Sequence, residues 1–171
     1  DLTCQNLIDC ARAGIPAELV SMPLAGATAP VTLAAAVVQH TAECLSGIAL
    51  HQLAQPGAPI VWGGAPAIFD MRRGTTPMGA IETAMIDAAY AQVGKSFGLP
   101  THAYMCATDS KVIDAQAGLE SGVTLMLGAA LVAGGVLRIF LAFNMKSAGK
   151  PWAASKRCPA PDVSMNCRPS S

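Results

Sequence analysis

The chain has 171 residues, equal numbers of acidic and basic side chains, and a mean hydropathy of +0.42. Hydrophobic residues make up 52% and charged residues 13%, which excludes a wholly disordered chain because ample apolar surface is available for burial. The lack of a positive excess and an aromatic content of 5% argue against nucleic-acid binding through a basic surface or through base stacking. The first predicted element is a helix over Asp1–Gly14, stopped by Gly14 and Pro16. Ala17–Leu24 reads as a strand, followed by the small-residue turn Ala25-Gly26-Ala27-Thr28. Thr32–Ala54 is a long helix, with Leu33, Val37, Leu45, Ile48 and Leu53 near helical spacing, Thr28 or Thr32 as its cap and Gln55-Pro56-Gly57 as its stop. Pro59–Trp62 is a short apolar strand before Gly63-Gly64. Pro77–Phe97 is a helix stopped by Gly98-Leu99-Pro100. His102–Ala107 is predicted as a third strand, and Asp114–Ala133 as the helix after it.

Such βα alternation predicts an α/β fold with parallel strands covered by helices. A doubly wound sheet and a closed barrel both satisfy it, and the length of the helices favours a piece of a (β/α)8 barrel of about three βα units. Composition changes near Gly135. Up to that point five basic residues face ten acidic ones; from Val136 onward six basic residues face Asp162 alone. The sequence therefore divides into a body, residues 1–135, and a basic tail, residues 136–171. Pro151, Pro159, Pro161 and Pro169 predict that Lys146–Ser171 is irregular. The uncharged run Gly122–Leu137 approaches the length of a membrane span, but Gly128, Gly134 and Gly135 interrupt it. Thr32–Ala54 carries Gln39, His40, Glu43 and His51, which hydrocarbon would not accept. No membrane span is expected. Six cysteines without a CxxC pair, and a start at Asp1 without a signal-like segment, fit reduced thiols in a cytoplasmic protein and no metal site.

In parallel α/β folds, chemistry gathers at the carboxyl ends of the strands. That rule selects Gly26–Pro30, Gly63–Asp70 and Thr108–Asp114. Asp70 with Arg72 and Arg73 sits in the second segment. Asp109, with Ser110 and Lys111, sits in the third, either at a site or capping the following helix. Glu120, flanked by Gly118 and Gly122, lies in an otherwise apolar helix, as do Glu82 and His40 in theirs. A lone polar residue there belongs more often on a solvated face than at a site. The methionines read as core fillers. No GxGxxG, GxxxxGK[ST] or HExxH pattern is present.

Five segments occur in an order that resembles one family. They are PLAGATAPVTLA (Pro23–Ala34), QHTAE (Gln39–Glu43), PGAPIVWGGAPAIFDMRRG (Pro56–Gly74), MGAIETAMIDAAYAQVGKSFGLP (Met78–Pro100) and DSKVIDAQAGLESG (Asp109–Gly122). Together they are similar to the trimethylamine methyltransferase superfamily, with its non-pyrrolysine glycine betaine relatives. The resemblance covers Asp1 to Ala133 and does not extend to Val136–Ser171, which on that ground is expected to be an aberrant or divergent basic tail. It implies a TIM-type barrel, a homo-oligomer at full length, and transfer of a methyl group from a small methylated amine to a corrinoid carried by a cognate partner protein. On that basis Asp70, Asp109 and Glu120 are the candidate carboxylates for the substrate cation. Gly26, Gly63 and Gly64 are candidates for giving the corrin close access. A non-catalytic remnant that binds a corrinoid protein or its own kind is the alternative expectation.

Overall fold

The structure is a computed structural model that describes residues 2–133. Helix α1 (Leu2–Ala13) is followed by strands β1 (Ala17–Ser21) and β2 (Leu24–Ala25), helix α2 (Leu33–Ala54), strands β3 (Ile60–Gly64) and β4 (Ala67–Ile68), and helices α3 (Ile81–Ser96) and α4 (Ala115–Ala133). β1 pairs with β3 and β2 with β4, both in parallel. The architecture is α/β, as the alternation predicts. Barrel closure is not seen among the described residues.

Helix ends follow the local chemistry. α1 and α3 both close with a Schellman arrangement, in which Ile15 N–H donates to Cys10 and Leu99 N–H to Gly94. Gly98 takes φ +70° at the second of these stops, a conformation that costs a side-chain-bearing residue. Asp114 caps α4 by accepting from Ala117 N–H at 2.9 Å. Thr32 stands at the N-cap of α2 but makes no side-chain capping bond. Thr28 closes the preceding turn instead, accepting from Leu24 N–H.

The first predicted strand is divided at a proline, and the second runs on past Trp62 to a break at another. Pro23 separates β1 from β2, and Pro66 separates β3 from β4. One register carries through both breaks: Ser21 faces Gly64 before them and Leu24 faces Ala67 after them. Ala65, Ala67 and Phe69 donate in turn to Ser21, Pro23 and Ala25. The two ladders are thus one ribbon, and Pro66 directs its missing donor away from the β1 side.

The third strand expected over His102–Ala107 is not formed. A single parallel bridge joins Trp62 to Thr101, through Trp62 N–H to Pro100 and His102 N–H to Trp62. Beyond it the Tyr90 hydroxyl lies between the two chains, close to the Gly64 carbonyl at 3.0 Å and the His102 carbonyl at 3.1 Å. Those two carbonyls are the acceptors the ladder would use next, for Tyr104 N–H and Gly64 N–H, and one step further Pro66 has no donor to give. The segment then turns at Cys106, whose φ of +60° is incompatible with a strand.

The core lies between the ribbon and α2 and α3, with Trp62 completely buried and its indole N–H donating to the Tyr90 carbonyl. Gly47 on α2 admits Leu19, and Gly94 on α3 admits Trp62, so small helix residues set how closely the layers approach. α2 is long and apolar enough to cross a membrane by length and composition. It also packs on β1 and β3 and buries His40, Cys44 and His51. The division at Gly135, the irregular segment from Lys146 and the end of the run Gly122–Leu137 lie outside the described residues.

Candidate active site

Strand pleating gives the ribbon two different faces. Ala17, Leu19 and Ser21 alternate with Glu18 and Val20, and the paired β3 residues follow the same alternation. Leu19, Trp62 and Gly64 face the helices. Glu18, Val20, Val61 and Gly63 share the opposite, open face, where Val20 is 46% exposed.

On the helix side, the space a Gly64 side chain would need is taken by His40. The His40 Nε2–H donates to the Gly63 carbonyl at 3.0 Å, which leaves Nδ1 unprotonated and, buried, without a partner. Its ring lies 4.5 Å from Tyr90 and meets Trp62 edge-on at 5.6 Å. Burial lowers the His40 pKa and keeps the imidazole neutral. The expectation of a solvated face for His40 is therefore corrected. A carbonyl acceptor and two aromatic rings stabilise it inside. Burial likewise raises the neighbouring Cys44 thiol to about 11, so it is no nucleophile at neutral pH. Asp87 on α3 is 2% exposed and its Oδ1 has no hydrogen-bond partner; burial holds its carboxyl at about 8.

On the open side, the Glu18 carboxylate and the His102 imidazole are hydrogen-bonded through Oε1 and Nδ1. They approach one another across β3, above Gly63, where any Cβ would collide with the Glu18 carboxylate. The His102 and Tyr104 rings are 4.9 Å apart. Ala103 and Met105, alternating with them, turn into the core.

The three carboxylates singled out in the sequence are placed differently. Asp70 accepts from the backbone N–H groups of Arg72 and Arg73 through Oδ1, and its own backbone pairs with Thr75, so it closes its own loop. Asp109 and Glu120 are brought together. Asp109 accepts from Met78 N–H and Gly79 N–H, while its own N–H donates to Glu120. Glu120 also accepts from Thr108 and Gln116, and the Thr108 bond is the main cause of its lowered pKa. A side chain at Gly79 would strike Glu120, so this glycine lets the two carboxylates tie the loop before α3 to the start of α4. Beside them a cavity of about 320 Å³ is lined by Ala80, Ile81, Leu119 and Val123.

Neither Gly63 nor Gly64 offers a bare surface, because Glu18 and His40 of the chain itself fill those spaces. Gly26, at φ +91°, faces the Met71 methyl at 3.0 Å from where its Cβ would be. Within this chain these glycines serve internal packing. Glu18 and His102, by contrast, carry no local motif. The signals were a charged residue inside AELVS and a Gly-Gly pair in the adjacent strand.

The family model described as trimethylamine methyltransferase matches residues 1–149, past the compositional change at Gly135. The chain belongs to the trimethylamine methyltransferase family. It is 41% identical over 148 residues to the trimethylamine methyltransferase MttB of Methanosarcina barkeri, covering 84% of this chain and 30% of that protein. The protein of the same name from Methanosarcina thermophila is 40% identical, over 84% and 31%. The glycine betaine methyltransferase of Desulfitobacterium hafniense strain Y51 is 37% identical over 144 residues, 81% and 30%. The chain thus spans about 30% of the length of these curated members of the trimethylamine methyltransferase family.

Proposed function

We propose that this chain forms part of a methyltransferase that removes a methyl group from a small methylated amine, with trimethylamine and glycine betaine as the candidate donors. The observation that carries this reading is the family match over residues 1–149, together with relatives named for both donors. A wall of a TIM-type barrel is the proposed architecture. A parallel ribbon with helices on one face and an open polar face has the layering of such a wall, whereas a doubly wound sheet needs helices on both.

The proposed acceptor is a corrinoid held by a partner protein, whose cobalt supplies the nucleophile for the methyl group. That acceptor rests on the family resemblance, with Gly26, Gly63 and Gly64 as the proposed points of close corrin approach. The chain's own residues supply position. Asp109 and Glu120 fix the loop at the start of α3, and His40 and Tyr90 fix the end of β3 from behind. Free Cys4, Cys10, Cys44 and Cys106 fit the proposed cytoplasmic setting.

The test is a chimera in which residues 1–149 replace the matching segment of the Desulfitobacterium glycine betaine methyltransferase. The expected result is demethylation of glycine betaine or trimethylamine in the presence of a reduced corrinoid protein, followed by loss of the cobalt(I) absorbance. A chimera that folds like its parent but transfers from neither amine would overturn the reading.

A further inference from the structure

We propose that the open face of the ribbon, at Glu18, His102 and Tyr104, is the subsite that holds the ammonium head of the methyl donor; the proposal rests on the methylated-amine reading above. A fully methylated nitrogen has no N–H to donate. It is recognised by a carboxylate that supplies charge, an aromatic face that supplies its quadrupole, and apolar surface for the methyl groups. All three are present on this face. Glu18 is 37% exposed, and among the described residues its side-chain partner is the His102 imidazole. Tyr104 stands beside His102, and Val20 and Val61 supply the apolar surface. Gly63 contributes no side chain, so the carboxylate and the imidazole meet directly over the strand.

The other candidate carboxylates are less available. Asp109 and Glu120 each receive hydrogen bonds on both oxygens, and Asp70 receives two on one oxygen from its own loop. A cation placed on any of them would compete with the bonds that order those loops. On Glu18, Oε1 faces His102, and among the described residues no hydrogen bond to Oε2 is formed. The imidazole hydrogen bond orients the carboxylate.

The test uses the 171-residue chain and tetramethylammonium chloride as probe, with sodium chloride at equal ionic strength as control. Saturable NMR shifts of the His102 and Tyr104 ring signals and the Gly63 amide are expected with tetramethylammonium only. Glu18→Gln should weaken the apparent affinity by about tenfold. The Trp62 indole N–H signal, on the other face, reports that the variant is folded. Tyr104→Leu provides a second variant, with affinity down severalfold, if Glu18→Gln does not fold. No saturable shift in the wild-type chain, or shifts that persist unchanged in a folded variant, would overturn the proposal. Failure of the methylated-amine reading is distinguished by the chimera. A chimera that transfers methyl groups while this face ignores the probe sinks the subsite alone. Probe binding here beside a folded but inactive chimera sinks the reading.

Discussion

The two faces of one parallel ribbon carry different chemistry. On the helix face, polar atoms are few, buried and tied to the backbone: His40 to Gly63, Tyr90 to Gly64, Trp62 to Tyr90. On the open face, a carboxylate, an imidazole and a phenol ring are partly exposed and meet one another through side chains. Gly63 and Gly64 are adjacent in sequence, yet one makes room for Glu18 and the other for His40. Alternation along a strand therefore assigns neighbours of identical type to separate tasks. The helix face holds the fold, and the open face remains free to bind.

The largest effect expected from this division is at Trp62. Trp62→Ala removes a completely buried ring and its bond to Tyr90, and should cost about 3–5 kcal/mol by urea denaturation. A loss below about 1 kcal/mol would mean that the helix face is not the main source of stability. Tyr90→Phe is a finer probe. It deletes the hydroxyl lodged between the Gly64 and His102 carbonyls and should cost about 1–3 kcal/mol, with faster amide exchange at His102. Unchanged stability and exchange would show that the hydroxyl does not hold these segments together.

Asp87 gives a pH-dependent effect. Burial raises its folded-state pKa to about 8, above the ordinary value of 3.8. Between these values the unfolded chain gives up the proton while the folded chain keeps it. Stability contributed by the protonated group therefore falls as pH rises from about 4 toward 8, and no further loss arises above that range. Asp87→Asn should flatten the corresponding slope in urea midpoints measured between pH 5 and 8. An unchanged slope would place the titration elsewhere.

Much of the helix-face architecture was legible in the sequence. Gly14, Gly98 and the Gln55-Pro56-Gly57 stop marked helix ends, and the apolar strand before Gly63 marked the core. The third strand was misread because HAYMCA has strand-like alternation, while what prevents pairing lies elsewhere, in Pro66, in the Tyr90 hydroxyl and in the turn at Cys106. The open-face cluster was not legible for a related reason. Glu18 and His102 are 84 residues apart and meet only through the register of a sheet. Asp109 and Glu120 lie closer along the chain, and the rule of strand ends found them. Their hydrogen bonds show how they are held, which the sequence did not.

The division between faces is tested most directly by urea denaturation of Gly63→Ala beside Gly64→Ala. A methyl group at Gly64 would press on the buried His40 ring and, more loosely, on the Ser21 carbonyl, neither of which can leave without opening the core. It should cost about 1–3 kcal/mol. A methyl group at Gly63 would displace the Glu18 side chain, which can swing toward solvent, and should cost less than about 1 kcal/mol. Equal losses, or a larger loss at Gly63, would contradict the assignment of stability to the helix face and freedom to the open one.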